Sequence, residues 1–313
     1  MSAKTRRNRT SARRRLPAFI LVLLVVALCI AGVIYKGAEV TQVDVNDGGI
    51  WVTNKSKQMV GHLDYEARIL DGALHTEATN FDVGQAGETV TVSDLTSSTV
   101  APVNVTQVSL GSPTALPAGS AVMQGGDVLG VLNPSDGTLW TTSAVNPSPL
   151  NLSEAAALSS NMGASAFVTG LDGSVYTLAA SGTLTTVKRQ GAVDQAQTST
   201  VEGIPADARL SMTVVGDRVV ALDGDSNTLF LPDNKRIDLS ALGVETGGVL
   251  QQAGPKADSV LLATPTSLVA IPLAGGAPTI TPSTEGGVSG TPAAPVRHEG
   301  CAYGAWTGSG AYM

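Results

Sequence analysis

The chain has 313 residues, 43% apolar, 4% aromatic and 14% charged, which is apolar enough for a core and excludes a wholly disordered chain. Eight of the 19 basic residues lie at or before Lys36, and all 26 acidic residues follow it, so the whole-chain charge of −7 conceals a strongly acidic remainder. Residues 37–313 carry 11 basic and 26 acidic side chains, a net of −15, which repels phosphates and excludes nucleic acid as a direct ligand.

In chain order, the first element is a basic tail. Residues 1–15 hold six Arg and Lys4. An uncharged apolar run, residues 16–35, follows. As a helix it is about 30 Å long, the thickness of the hydrocarbon core of a bilayer. The positive-inside rule keeps the tail cytoplasmic and places residues 36–313 outside the cell, as a single-pass protein held in the lipid bilayer by 16–35. A cleaved signal peptide is the competing reading, but such apolar cores run about 7 to 15 residues and end in small residues. This run ends in Val33, Ile34, Tyr35 and Lys36. A lipoprotein signal at Cys29 wants a small residue where Leu28 stands. Cys29 reads as a small apolar residue facing lipid or a partner helix.

Beyond the apolar run, short β patterns recur. Their clearest starts are Val43, Phe81, Ala121, Ala166, Leu210 and Val249, at spacings of 38, 40, 45, 44 and 39 residues. Each unit reads strand, turn, strand, turn, strand. Asp136-Gly137 and Asp172-Gly173 are hairpin signals, and the runs 128–132 and 260–263 are apolar enough for a core. A period near 40 with three or four strands per unit predicts an all-β fold, a β-propeller-like repeat of about six to seven small antiparallel sheets with the last incomplete. The alternative is tandem β-sandwiches, which need about seven strands and about 100 residues per unit. A Ser-capped helix is predicted over 153–160. The Gly-, Thr- and Pro-rich stretch 275–295 reads as an inter-blade loop or a domain linker.

Several residues are candidates for chemistry. Asp136-Gly137-Thr138-Leu139-Trp140 resembles the repeat of quinoprotein-type propellers, and 172–178 is a similar half-repeat. In that repeat the Trp docks between blades, a structural role, and no ligands for a quinone are assignable. Asp223, Asp225 and Asn227 alternate as in a calcium loop, but Thr228 and Asn234 stand where the loop wants Gly and Glu, so a solvated turn is expected. His62, His75 and His298 have no metal-ligand spacing. No G-x-S-x-G or phosphate-loop pattern occurs. No catalytic, cofactor or metal residue is therefore assigned. Asn54, Asn104 and Asn151 open Asn-x-Ser/Thr sites, of consequence only in a glycosylating host.

Cys301 is the one cysteine after the apolar run, so no disulfide forms within residues 36–313. The last residues read as a strand (301–306), a turn and the start of another strand. This predicts that the chain is the N-terminal fragment of something longer, with a downstream cysteine as partner for Cys301.

Residues 43–54 (VDVNDGGIWVTN) and 298–306 (HEGCAYGAW) resemble the first and last parts of a propeller-like region in large actinobacterial membrane-anchored proteins. The resemblance implies a basic tail, one membrane helix, a propeller-like region and then immunoglobulin-like or fibronectin type III repeats. It supplies no catalytic residues. The expected role is a non-catalytic scaffold or adhesion protein whose propeller binds a protein or an envelope polysaccharide. The alternative is a carbohydrate-active hydrolase or a quinone-dependent enzyme.

Overall fold

Alternation of Val, Leu and Thr between glycine-rich turns favours short strands over helices. The computed structural model describes residues 49–64, 67–147, 164–190, 193–282, 288–298 and 300–312, all within the compact unit Asn46–Met313. The described residues form seven small antiparallel sheets, taken in chain order as blades 1 to 7. Blade 1 holds β1 (Ile50–Asn54), β2 (Met59–Asp64) and β3 (Ile69–His75). Blade 2 holds β4 (Phe81–Ala86), β5 (Thr89–Asp94) and β6 (Thr99–Asn104), with β7 (Ser109–Leu110) and β8 (Thr114–Ala115) both pairing with β6. Blade 3 holds β9 (Ala121–Gly125), β10 (Val128–Asn133) and β11 (Thr138–Ser143). Blade 4 holds β12 (Ala164–Thr169), β13 (Val175–Ala179), β14 (Thr183–Gln190) and β15 (Val193–Thr200). Blade 5 holds β16 (Leu210–Val215), β17 (Arg218–Asp223), β18 (Thr228–Leu231) and β19 (Lys235–Asp238). Blade 6 holds β20 (Val249–Leu250), β21 (Ser259–Ala263), β22 (Ser267–Pro272) and β23 (Thr279–Pro282). Blade 7 holds β24 (Val296–His298), β25 (Cys301–Trp306) and β26 (Gly310–Tyr312), three strands as in blades 1 and 3.

The first strand of each blade meets the first strand of the next: β1 meets β4, β4 meets β9, β9 meets β12, β12 meets β16 and β16 meets β20. That succession is radial, and the apolar clusters follow it. Trp51, Val60 and Leu74 of blade 1 pack on Phe81, Val90 and Val92 of blade 2. Val100 meets Leu129 between blades 2 and 3. Val128 and Leu139 meet Phe167 and Val175 between blades 3 and 4. Further clusters join blade 4 to 5, 5 to 6 and 6 to 7. Tandem sandwiches would bury a core between every second pair of sheets and leave the others without one. Here six consecutive junctions each have a core, the mark of a propeller.

Because a second strand has neighbouring blades on both faces, it is apolar on both. β10 and β13 are buried along nearly their whole length and lose the in-out alternation of a one-sided strand. The stretch 275–295 contributes β23 to blade 6 before the chain passes to blade 7, so it serves as part of a blade as well as a connection. Residues 1–15, 16–35 and 153–160 lie outside the described residues. Among the described residues no helix is long and apolar enough to cross a membrane.

Candidate functional site

The first strands surround an axial opening of about 580 Å³. Gln85 of β4, Met123 and Gln124 of β9, Thr169 of β12, Ser211 of β16 and Gln252 beyond β20 contribute to its wall. Asp82 is the one ionisable residue among its lining residues, and its Oδ1 accepts the Val83 N–H at 2.9 Å. The wall is otherwise built from carboxamides, hydroxyls and apolar groups, without a concentration of charge.

Part of that polar wall stitches the blades together. Gln85 Oε1 accepts the Trp51 N–H at 2.9 Å, and its Nε2 donates to the carbonyls of Gly49 at 3.0 Å and Gly87 at 3.3 Å. Gln124 repeats the device one blade on. Its Nε2 donates to the carbonyls of Thr89 at 2.8 Å and Gly126 at 3.3 Å, while its Oε1 accepts the Thr91 hydroxyl at 2.7 Å. The Thr169 hydroxyl donates to the Met123 carbonyl at 3.1 Å and ties blade 4 to blade 3. Ser211 and Gln252 are exposed within the opening, and Met123 is 41% exposed. These three, with the exposed Asp82, Leu95 and Leu171, are among the side chains a ligand entering the opening would meet. Sequence reasoning did not single out the glutamines. Their signal is Gln-x-Gly at the end of a first strand, in Gln85-Ala86-Gly87 and Gln124-Gly125-Gly126, where Gly87 and Gly126 hold positive φ at 58° and 55°.

The residues weighed for chemistry are dispersed. Asp136-Gly137 lies in the β10–β11 turn and Asp172-Gly173 in the β12–β13 turn, the hairpin positions expected. Trp51 and Trp140 are buried, at 6% and 7% exposure. Trp51 docks on blade 2, whereas the Trp140 Nε1–H is buried without a hydrogen-bond partner. Trp306, not singled out from sequence, docks on blade 6 and donates Nε1–H to the Thr264 carbonyl at 2.7 Å. Asp223 to Asn227 form the β17–β18 turn. Asp223 accepts the Asp225 N–H at 3.1 Å and the Ser226 hydroxyl at 2.6 Å, so its oxygens serve the turn, but Asp223 and Asn227 are buried where a solvated turn was expected.

His62 Nδ1 lies 2.6 Å from Asp71 Oδ1, and its ring is 5.1 Å from that of Trp51. His75 ends β3 and His298 ends β24. No group of three or more potential metal ligands occurs among the described residues. Asn54 and Asn104 are exposed but their side chains cap local turns, accepting the N–H of Lys57 and Gln107. Asn151 lies outside the described residues. Cys301 is free and exposed.

No family model matches the chain, and no curated protein does. Solved structures do match. One is the dihydro-heme d1 dehydrogenase NirN in complex with DHE, with TM-score 0.57 and 14% identity, covering 86% of this chain and 60% of that one. A second is the β-propeller domain of Cps50 (Swd1) from Myceliophteria thermophila, with TM-score 0.54 and 9% identity, covering 83% and 93%. A third is a streptogramin B lyase, with TM-score 0.53 and 13% identity, covering 85% and 89%. The chain thus spans under two thirds of the dehydrogenase. At these identities the likenesses establish the β-propeller fold and nothing about chemistry.

Proposed function

We propose that the chain is a membrane-anchored cell-surface scaffold or adhesion protein, and that its extracellular propeller binds another protein or an envelope polysaccharide without chemical turnover. Residues 16–35 span the bilayer, 1–15 stay cytoplasmic, and the propeller stands outside. The apolar run behind a basic cluster supports the anchor. The resemblance to actinobacterial anchored proteins supports the scaffold role, with immunoglobulin-like or fibronectin type III repeats following the propeller.

The axial opening carries the binding half of this reading. Its exposed groups include the hydroxyl of Ser211, the carboxamide of Gln252, the thioether of Met123, the side chains of Leu95 and Leu171 and the carboxylate of Asp82. Neutral donors and acceptors beside apolar surface suit a hydroxyl-rich sugar chain or a peptide backbone. A neutral ligand also avoids the repulsion that a −15 domain exerts on anions.

The test is sedimentation of the full chain in nanodiscs with isolated cell-wall polysaccharide. Saturable binding is expected, with polymer recovered at its original length. Ser211→Trp, which fills the opening from an exposed position, should weaken binding at least about tenfold without lowering the melting temperature. Shortened polymer would establish a hydrolase instead. Binding untouched by Ser211→Trp would place the ligand elsewhere.

A further inference from the structure

The outermost strand of a blade leaves one row of N–H and C=O groups unpaired, a template for a further strand. Among the described residues every blade but one blunts that edge. β7 and β8 are two residues long, and β26 is three. β19 carries Lys235 and Arg236, and β23 ends at Pro282. β3 is bulged at Asp71, where its register with β2 shifts between His62 and Leu63. β11 has no exposed residue. The exception is β15 of blade 4. It pairs with β14 alone, runs eight residues without Pro, Lys or Arg, and keeps one register throughout. Every residue from Gln195 to Thr200 is exposed, so neither face of the strand is covered along that stretch.

A second observation concerns reach. β14 pairs with β13 only from Leu184 to Val187. Beyond Val187, its Lys188, Arg189 and Gln190 pair with Gln195, Asp194 and Val193 of β15 and, among the described residues, with no other strand. Blade 4 therefore ends in a two-stranded arm that extends past β13. Such a ribbon, without a third strand or a packed face, is marginal in water. Added strands would support it. Residues 195–200 are Gln, Ala, Gln, Thr, Ser and Thr, which suit pairing through the main chain and give a hydrophobic segment no anchor. The strand that matches this edge in length, regularity and polarity is β15 of a second copy.

We infer that β15 pairs antiparallel with β15 of a second copy across a two-fold axis, joining the two fourth blades into one eight-stranded sheet. Facing residues of an antiparallel pair point their amides the same way, so the axis passes through a residue rather than between two. With the axis at Ala196 or at Gln197, seven residue pairs form. Asp194 is the one ionisable residue of the strand, and it meets a threonine at either register. No like charges oppose one another. Each copy has one bare edge, so the pairing closes at two copies and does not propagate. Each two-stranded arm becomes part of a four-stranded one. Seven pairs bury less than the roughly 1,000 Å² of a lasting interface, so the dimer is reversible, with a dissociation constant of about 1–100 μM. β15 is the fourth strand of its blade counted from the axis, so pairing leaves the axial opening free.

The test is sedimentation of the full chain in detergent over a range of concentrations. A monomer–dimer equilibrium is expected, with amide exchange in residues 193–200 slowing as the dimer fills. Two double variants probe the axis. Ala196→Lys with Gln197→Lys, and Ala196→Glu with Gln197→Glu, each set like charges face to face at either register. Each should weaken the dimer about tenfold or more. An equimolar mixture of the two should dimerise again, because opposite charges then meet, a recovery that misfolded variants would not show. The inference falls if the unaltered chain stays monomeric up to about 100 μM. It falls equally if the chain dimerises without slower exchange in 193–200, if either double variant dimerises as tightly as the unaltered chain, or if the mixture stays monomeric.

Discussion

One five-residue device recurs at the turns. Asp64, Asp94, Asn104, Asn133 and Asp223 each accept a main-chain N–H two or three residues on. Four residues after each of them the chain takes a left-handed φ, at Arg68, Ser98, Val108, Gly137 and Asn227. The carboxyl or carboxamide supplies what the turning backbone lacks, and the left-handed residue brings the next strand back into register. Only one of the five left-handed positions is glycine. Arg68→Gly, at an exposed position, is therefore expected to stabilise by about 0.5–1 kcal/mol, and Gly137→Ala to cost about 1–2 kcal/mol, in urea unfolding. For Asp94 and Asp223, burial is the largest single influence and raises the carboxyl. It is outweighed by the Ser97 hydroxyl and amide and the Thr96 amide at Asp94, and by the Ser226 hydroxyl and neighbouring amides at Asp223, so both are held below the usual 3.8. A depressed carboxyl contributes stability above its unfolded value and loses it as pH falls through the folded value. Unfolding experiments should show this loss below about pH 4, and Asp223→Asn should flatten it.

At the scale of the element, the blades are joined by few polar contacts over a continuous apolar packing. Gln124→Leu removes one donation to Thr89 of blade 2 and one to Gly126 of its own blade, and strands the Thr91 hydroxyl, 1% exposed, without its acceptor. A loss of about 1–3 kcal/mol in chemical denaturation is expected. Gly125 stands where a side chain would fall on the Gly170 carbonyl, so Gly125→Ala should force blades 3 and 4 apart and broaden the melting transition. Trp306→Ala removes both the ring and the bond to Thr264, and should cost about 3–5 kcal/mol. The strand starts were legible beforehand. β4, β9, β16 and β20 begin at Phe81, Ala121, Leu210 and Val249, the residues the spacing indicated, and β12 begins two before Ala166. They could be read because each blade repeats its own short-range signals of apolar run and Asx or Gly turn. The glutamine stitches and the docking of Trp306 could not. Each depends on a partner some 30 to 40 residues away, in the preceding blade, that no local pattern reveals. The axial opening was illegible for the same reason, since it is assembled from one strand of each of several blades.

For the whole molecule, the blade row ends in apolar surface. Ile50, Val52 and Leu70 are 45%, 37% and 65% exposed on blade 1, and Val296 and Tyr303 are 39% and 38% exposed on blade 7. Each junction from blade 1 through blade 7 has its own apolar cluster, which accounts for a fold that holds together along the row. Placement of that row outside the cell is the claim on which the binding role rests. The sequence holds two cysteines, Cys29 within the apolar run and Cys301 exposed on blade 7. A membrane-impermeant maleimide applied to intact cells reads their positions directly, with Cys301→Ser as the control. Labelling of the unaltered chain without permeabilisation, and its loss in Cys301→Ser, is the expected result. Labelling that requires lysis would put the propeller in the cytoplasm and contradict the anchored, extracellular binding role.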